Sequence, residues 1–329
     1  MKMPEVYKRF SLLLFMAIVA GCSSVAENSI TPSLETPALS VGSVSPNETV
    51  VSTSIDEATS TALPQLTVFP TLSVEDAHKR LLDLLVTNGN CSLPCLWGLT
   101  SGESSYLEAR VVLIPLSSIA ETAYFGTSNP EDDISPLYVE GDLRLNARVL
   151  YLYGRDGVIS LITFRLLEEK VVTDANGNWI SKQPIFDSTT FIERIEYYSL
   201  FHVLNEQGLP SSVLIATSNL PDPVVAGGFD IALLYPEQGI WVNYTMPMYN
   251  HDNTKTGCPI NAHVEISLTP SGNPKTFFSL LEKTDWGVTK NGYKLLEEVT
   301  SMSVTEFYET FRNSPDVCID TPVELWPVP

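Results

Sequence analysis

Cys91 and Cys95 in the stretch CSLPC, and Cys258 between His251 and His263 in HDNTKTGCPINAH, are where residue type and spacing first invite chemistry. A close thiol pair does redox work, but such enzymes place two residues between their cysteines and CSLPC has three. His251, Asp252, Cys258 and His263 are all zinc-ligand types, provided that Cys258 stays reduced. The stretch GESSY, Gly102 to Tyr106, approaches a serine nucleophile elbow. That sharp turn needs a second glycine, and Tyr106 stands in its place. Asp174, Asn176 and Asn178 in DANGNW have calcium-loop spacing, yet Ile185 falls where the bidentate Glu belongs. His78 and His202 stand alone, and Glu131–Asp133 reads as a solvated acidic loop. No phosphate-binding glycine loop, dinucleotide fingerprint or metalloprotease helix motif is present. The sequence therefore predicts a noncatalytic protein with no cofactor and no metal site.

Whether the thiols pair depends on the compartment, and the N-terminus carries that information. Lys2, Lys8 and Arg9 precede an apolar run, Phe10 to Gly21, that at about 1.5 Å per residue is too short to cross a bilayer. Basic, apolar and small residues in that order make a secretory signal. Its end, Val19-Ala20-Gly21-Cys22, resembles the lipobox of bacterial lipoproteins. The resemblance implies cleavage before Cys22 and lipid on that residue, holding the chain to the bacterial cell envelope outside the cytoplasm. Several acyl chains anchor far more firmly than one. Residues 1–21 are then a signal peptide and 22–70 a tether. From Ser23 to Pro70 the chain is rich in Ser, Thr and Pro, lacks Lys and Arg, and buries too little apolar surface to offset its ordering entropy. A flexible chain of that length spans roughly 40 Å.

Export leaves four cysteines in an oxidising setting, where an even count favours two disulfides. Three pairings exist; local reversal around Pro94 favours Cys91–Cys95 with Cys258–Cys318. The net charge of −20 repels phosphate backbones and so excludes nucleic acid as a partner. It leaves membrane attachment through Cys22 lipid and contacts with envelope protein or wall glycan. An aromatic sugar platform in GIWVNYTMPMYN would need Trp241, Tyr244 and Tyr249 on one side, whereas strand alternation separates Trp241 from Tyr244.

The elements that must position these residues are legible as an α+β fold, short helices packed on antiparallel sheet. Ser73 opens a helix with Ala77, Leu81, Leu84 and Leu85 inward, ended by Asn88-Gly89. Thr100 and Glu103 form a capping-box pattern, predicting a helix with Leu107, Val111 and Ile114 inward until Pro115. Alternation from Leu143 to Leu166 around GRDG predicts a hairpin, and Asn176-Gly177 a second one. Thr190 opens a longer helix with Tyr197, Leu200, Phe201 and Leu204 inward, ending at Gly208. Strands follow at Val213–Thr217, Phe229–Tyr235, Ile240–Thr245 and His263–Leu268, then a helix capped by Ser303 with Val304, Phe307 and Phe311 inward.

Helix-then-strands occurs twice, which divides the remainder into related α+β units at 71–186 and 187–329. GLTSGESSYLEARVVL and VLNEQGLPSSVLI resemble the helix-opening and helix-end-to-strand passages of the SmpA/OmlA (BamE)-like lipoprotein domain. That resemblance implies an envelope adaptor that binds partner proteins without catalysis. The alternatives are a glycan- or solute-binding lipoprotein and, behind it, an envelope hydrolase.

Overall fold

The computed structural model describes residues 72–117, 119–123, 131–135, 137–140, 143–173, 179–186, 189–217, 228–281, 292–314 and 316–326. Cys22, the segments 1–21 and 22–70, and Asp174, Asn176 and Asn178 lie outside the described residues. The chain divides at Pro64, and the unit Gln65–Pro329 contains everything described below.

Helix α1, Val74–Thr87, starts where Ser73 Oγ accepts from Asp76 N at 3.1 Å and stops at Asn88, whose φ of 51° leaves the helical region. Leu81, Leu84 and Leu85 are its buried stripe, as the spacing predicts. Two-residue strands β1, Cys95–Leu96, and β2, Leu99–Thr100, pair antiparallel. Helix α2, Tyr106–Leu113, is capped by Ser105 with Glu108, not by Thr100 with Glu103. The Thr100 turn is occupied elsewhere: Gly102 N donates to Ile159 O, and Ile159 N to Ser104 O, at 2.7 and 2.9 Å. The helix begins five residues later than expected and turns a different face inward. Ala109 and Leu113 are buried, whereas Leu107 and Val111 are 60% and 50% exposed.

Strands β3 (Ile119–Ala123), β4 (Glu131–Ser135), β5 (Leu137–Glu140), β6 (Leu143–Tyr153), β7 (Ile159–Thr173) and β8 (Trp179–Pro184) follow. Glu131–Asp133, read as loop, belongs to β4 because backbone pairing with β3 and β6 overrides its polar composition. The helix expected from Thr190 is three pieces: α3 (Thr189–Arg194), a 3₁₀ turn at Glu196–Tyr198, and α4 (Leu200–Gln207). Ser199 breaks it by adopting extended backbone and capping His202 N with its hydroxyl. Next come β9 (Ser212–Thr217), β10 (Gly228–Tyr235), β11 (Ile240–His251), β12 (Thr254–Gly257) and β13 (His263–Leu268). The chain ends its described course with α5 (Pro274–Leu281), β14 (Lys294–Leu295), α6 (Leu296–Val299), α7 (Val304–Phe311) and β15 (Ile319–Pro322).

Thirteen strands form one antiparallel sheet whose main path runs β14-β9-β10-β11-β13-β7-β6-β4-β3. The β13–β7 pairing, from Val264 opposite Leu166 to Leu268 opposite Ile162, joins segments 71–186 and 187–329 in that sheet. Alternation gives the sheet two faces. On one, Val149, Phe164, Ile266, Val242, Ile231 and Ile215 meet Leu85, Leu113, Leu204, Phe307 and Phe311 from the helices in one apolar cluster. Each such side chain contributes roughly 1.5–3 kcal/mol by leaving water. On the other face, Leu214, Ala232, Leu234 and Trp241 lie under Phe277 of α5 and Tyr293.

Candidate interaction groove and buried polar row

The four cysteines pair as Cys91–Cys95 and Cys258–Cys318. The first disulfide sits in a hydrogen-bonded knot. Asn88 Nδ2 donates to the carbonyls of Cys91 and Cys95 at 2.7 and 2.8 Å, and Tyr198 OH donates to Asn88 Oδ1 at 3.1 Å. Trp97 Nε1 donates to Tyr198 OH at 2.9 Å. Burial drives the Tyr198 hydroxyl well above the usual phenol range, so it stays protonated and able to donate. The second disulfide fastens the strand-β15 segment to the turn after β12.

The other sequence-derived constellations do not assemble. Cys258 is committed to its disulfide, and His263 is stacked on Phe186 with centroids 4.2 Å apart and Nε2 2.8 Å from Ile185 O. Burial lowers His263 to about 4, so its imidazole is neutral at physiological pH. Among the described residues, no three His, Cys, Asp or Glu side chains gather as metal ligands. Ser104, at the nucleophile position of GESSY, accepts from Thr100 N through its hydroxyl at 3.0 Å, and His202 packs against the Tyr197 ring at 4.5 Å. Trp241 and Tyr244 are buried on opposite faces, so a shared sugar platform does not form. Among the described residues, no helix is long and apolar enough to cross a membrane.

Two features carry functional potential. The first is a half-open groove of about 240 Å³ between α3, α4, the 3₁₀ turn Pro259–Asn261 and the end of α7. Its floor is Leu200 and Phe311, both buried in the main core. Phe201 and Ile260 stand in its walls, 38% and 44% exposed, and the exposed carboxylates Glu193 and Glu196 form its rim. Local chemistry fixes these positions. Ser199 sets where α4 begins, Pro259 starts the turn that presents Ile260, and Cys258 ties that turn to Cys318. Phe201, expected inward, is partly in water because the break at Ser199 rotates α4 and turns Val203 in. In the sequence Ile260 is marked only as the one large aliphatic residue of the stretch GCPINAH.

The second feature is a polar row across the other sheet face. Arg148, Arg165, Glu265 and Asn243 are successive cross-strand neighbours, with Asp230 opposite Thr245 beside them. Asn243 Nδ2 donates to Asp230 Oδ1 and Thr245 Oγ1 at 3.3 and 3.2 Å, while its Oδ1 accepts from Tyr293 OH at 3.0 Å. The Thr245 hydroxyl also donates to Asp230. Arg165 Nε lies 3.6 Å from Glu265 Oε2, but Glu265 Oε1 is buried without a hydrogen-bond partner. Burial pushes Glu265 up to about 7, opposed by Arg165 and reinforced by Asp230. Burial also raises Asp230, against the hydrogen bonds from Thr245 and Asn243.

No family model matches the chain, and no curated protein matches it. Among solved structures, a DUF4309 family protein (YjgB) from Bacillus subtilis aligns over 59% of this chain and 99% of its own length. Identity is 12% and the TM-score 0.26, a likeness that carries no argument about fold or function.

Proposed function

We propose that the protein is a lipid-anchored, extracytoplasmic interaction module that docks a partner protein in the groove and performs no catalysis. The observation that carries this reading is the convergence of Phe201 and Ile260 on one concavity whose floor is already core. Partly exposed apolar side chains scattered singly need no explanation, but a concave group bordered by the carboxylates Glu193 and Glu196 has the anatomy of a docking site. Volume favours side chains over a whole small molecule. Pockets that enclose drug-sized ligands run from roughly 300 to 1,000 Å³, and the groove at about 240 Å³ is smaller. The anchor reading rests on the basic flank, short apolar run and Val19-Ala20-Gly21-Cys22 order.

Comparing wild type, Cys22→Ser and Ile260→Asp in gently solubilised native envelopes tests both parts. Cys22→Ser is expected to leave the detergent phase on phase partition, and Ile260→Asp to stay in it while losing a near-stoichiometric partner. Membrane partition of Cys22→Ser would sink the anchor. Unchanged partner recovery with Ile260→Asp would sink the groove.

A further inference from the structure

We infer that the groove takes a linear segment of a partner protein in which one or two apolar side chains are flanked by Lys or Arg. The inference rests on the groove being the docking surface and specifies what fills it. Glu193 and Glu196 belong to α3 and the turn after it, so both carboxylates border the same opening, and both are exposed. A segment that inserts an apolar side chain between Phe201 and Ile260 brings its flanking residues to that acidic rim. Basic flanks are attracted there, acidic flanks repelled, and the effect lies in selectivity and association rate more than in raw affinity.

The same charges decide against other occupants. A second copy would bring another chain of net charge −20 to an acidic rim. Anionic lipid headgroups and nucleic acid phosphates meet the same repulsion. The groove's size admits side chains rather than a folded protrusion, and its disulfide-tied turn presents a preformed receptor that loses little freedom on binding.

The test uses the full-length protein in nonionic detergent and two short synthetic peptides with the same Phe-Leu centre, one flanked by Lys and one by Glu. Binding is read by fluorescence anisotropy at low and high salt. The expected result is that the Lys-flanked peptide binds at least about tenfold more tightly at low salt, with that advantage shrinking as salt screens it. Glu193→Lys with Glu196→Lys should invert the preference, and Ile260→Asp should remove binding of both peptides. Ile260 is already partly in water, so that variant is expected to fold, which an unchanged thermal transition checks. Equal binding of the two peptides, abolished by Ile260→Asp, would overturn the basic partner while leaving the groove reading intact. Lys-peptide binding untouched by Ile260→Asp would overturn both, since a diffuse acidic surface would then be the receptor. Failure of the Lys-flanked peptide to bind would also overturn the inference.

Discussion

At the groove, Phe201 and Ile260 keep 38% and 44% of their surface in water; across the sheet, Glu265 keeps 5% and leaves one carboxylate oxygen without a partner. Both arrangements cost stability, in opposite ways. Apolar surface left in water forgoes roughly 25 cal/mol per Å², and a buried carboxyl group carries a desolvation penalty that an imperfect ion pair does not recover. The groove's cost is recoverable from outside, by anything that covers it. The polar row's cost is offset from inside: Asn243 ties Tyr293 to Asp230, and the row is satisfied in one register only, because a one-residue slip sends every side chain to the other face. The first region is open to cover from outside, as the proposed docking requires, and the second holds the sheet and its cover together.

The largest expected break in this comparison comes from the disulfides. Cys258 and Cys318 are separated by 60 residues, so Cys258→Ser with Cys318→Ser should cost about 4 kcal/mol by the chain-entropy relation, read as a shifted urea midpoint. It should abolish groove binding as well, because the turn carrying Ile260 loses its tether. Cys91→Ser with Cys95→Ser removes a cross-link across only 4 residues and should cost about 2 kcal/mol.

Titration gives the next effect. Glu265 is raised from 4.5 to about 7 on folding, so between those values the folded state keeps a proton that the unfolded state has released. Its contribution is fully present at low pH and is lost as pH rises through about 7, by about 3 kcal/mol in all. Asp230 is also raised and slopes the same way. His263 is lowered from 6.5 to about 4 and slopes oppositely: the unfolded state takes up a proton that the folded state refuses, so stability rises with pH across that interval. The two oppose one another between about 4.5 and 6.5. Chemical denaturation across pH 4–8 should therefore show a shallow profile in wild type and a clear rise through that window in Glu265→Gln. An unchanged profile in Glu265→Gln would mean that the carboxyl is not held protonated by its surroundings.

Removing the centre of the row by Asn243→Leu strips a donor from Asp230 and the acceptor from Tyr293, at a cost of about 2 kcal/mol without loss of peptide binding at the groove. Ser303→Ala removes a capping box in which Glu306 N reaches Ser303 Oγ at 3.2 Å and Ser303 N reaches Glu306 Oε2 at 2.8 Å. It should cost about 1 kcal/mol and weaken groove binding slightly, since α7 supplies Phe311. Both losses are read from urea midpoints alongside anisotropy.

What could be read in advance follows the range of the interactions. The β6–β7 hairpin, the α1 and α7 starts and the His263–Leu268 strand are set by nearest neighbours, and alternation or a cap reveals them. The α2 start is ambiguous in the sequence because Thr100–Glu103 and Ser105–Glu108 carry the same local signal, and only backbone pairing with Ile159 chooses between them. Strand β15 is short and exists because distant β12 pairs with it, while β12 itself folds back on β11 as a hairpin with Thr254 opposite His251. The disulfide cysteines were legible as a count and a local reversal. The groove was not, since its walls come from positions as far apart as Ile192 and Phe311. The polar row left a faint trace in the sequence: Asp230 and Asn243 interrupt the apolar runs FDIALL and IWVN, and Glu265 stands between Val264 and Ile266 in HVEISL.

The claim that the groove is the docking surface is tested most directly by a photo-crosslinking side chain placed at Ile260 and, as a control, at Leu107, which is exposed on α2 outside the groove. In native envelopes, position 260 should give a discrete crosslinked species that the Lys-flanked peptide suppresses, and position 107 should not. Identical products from both positions, or none from position 260, would contradict the account.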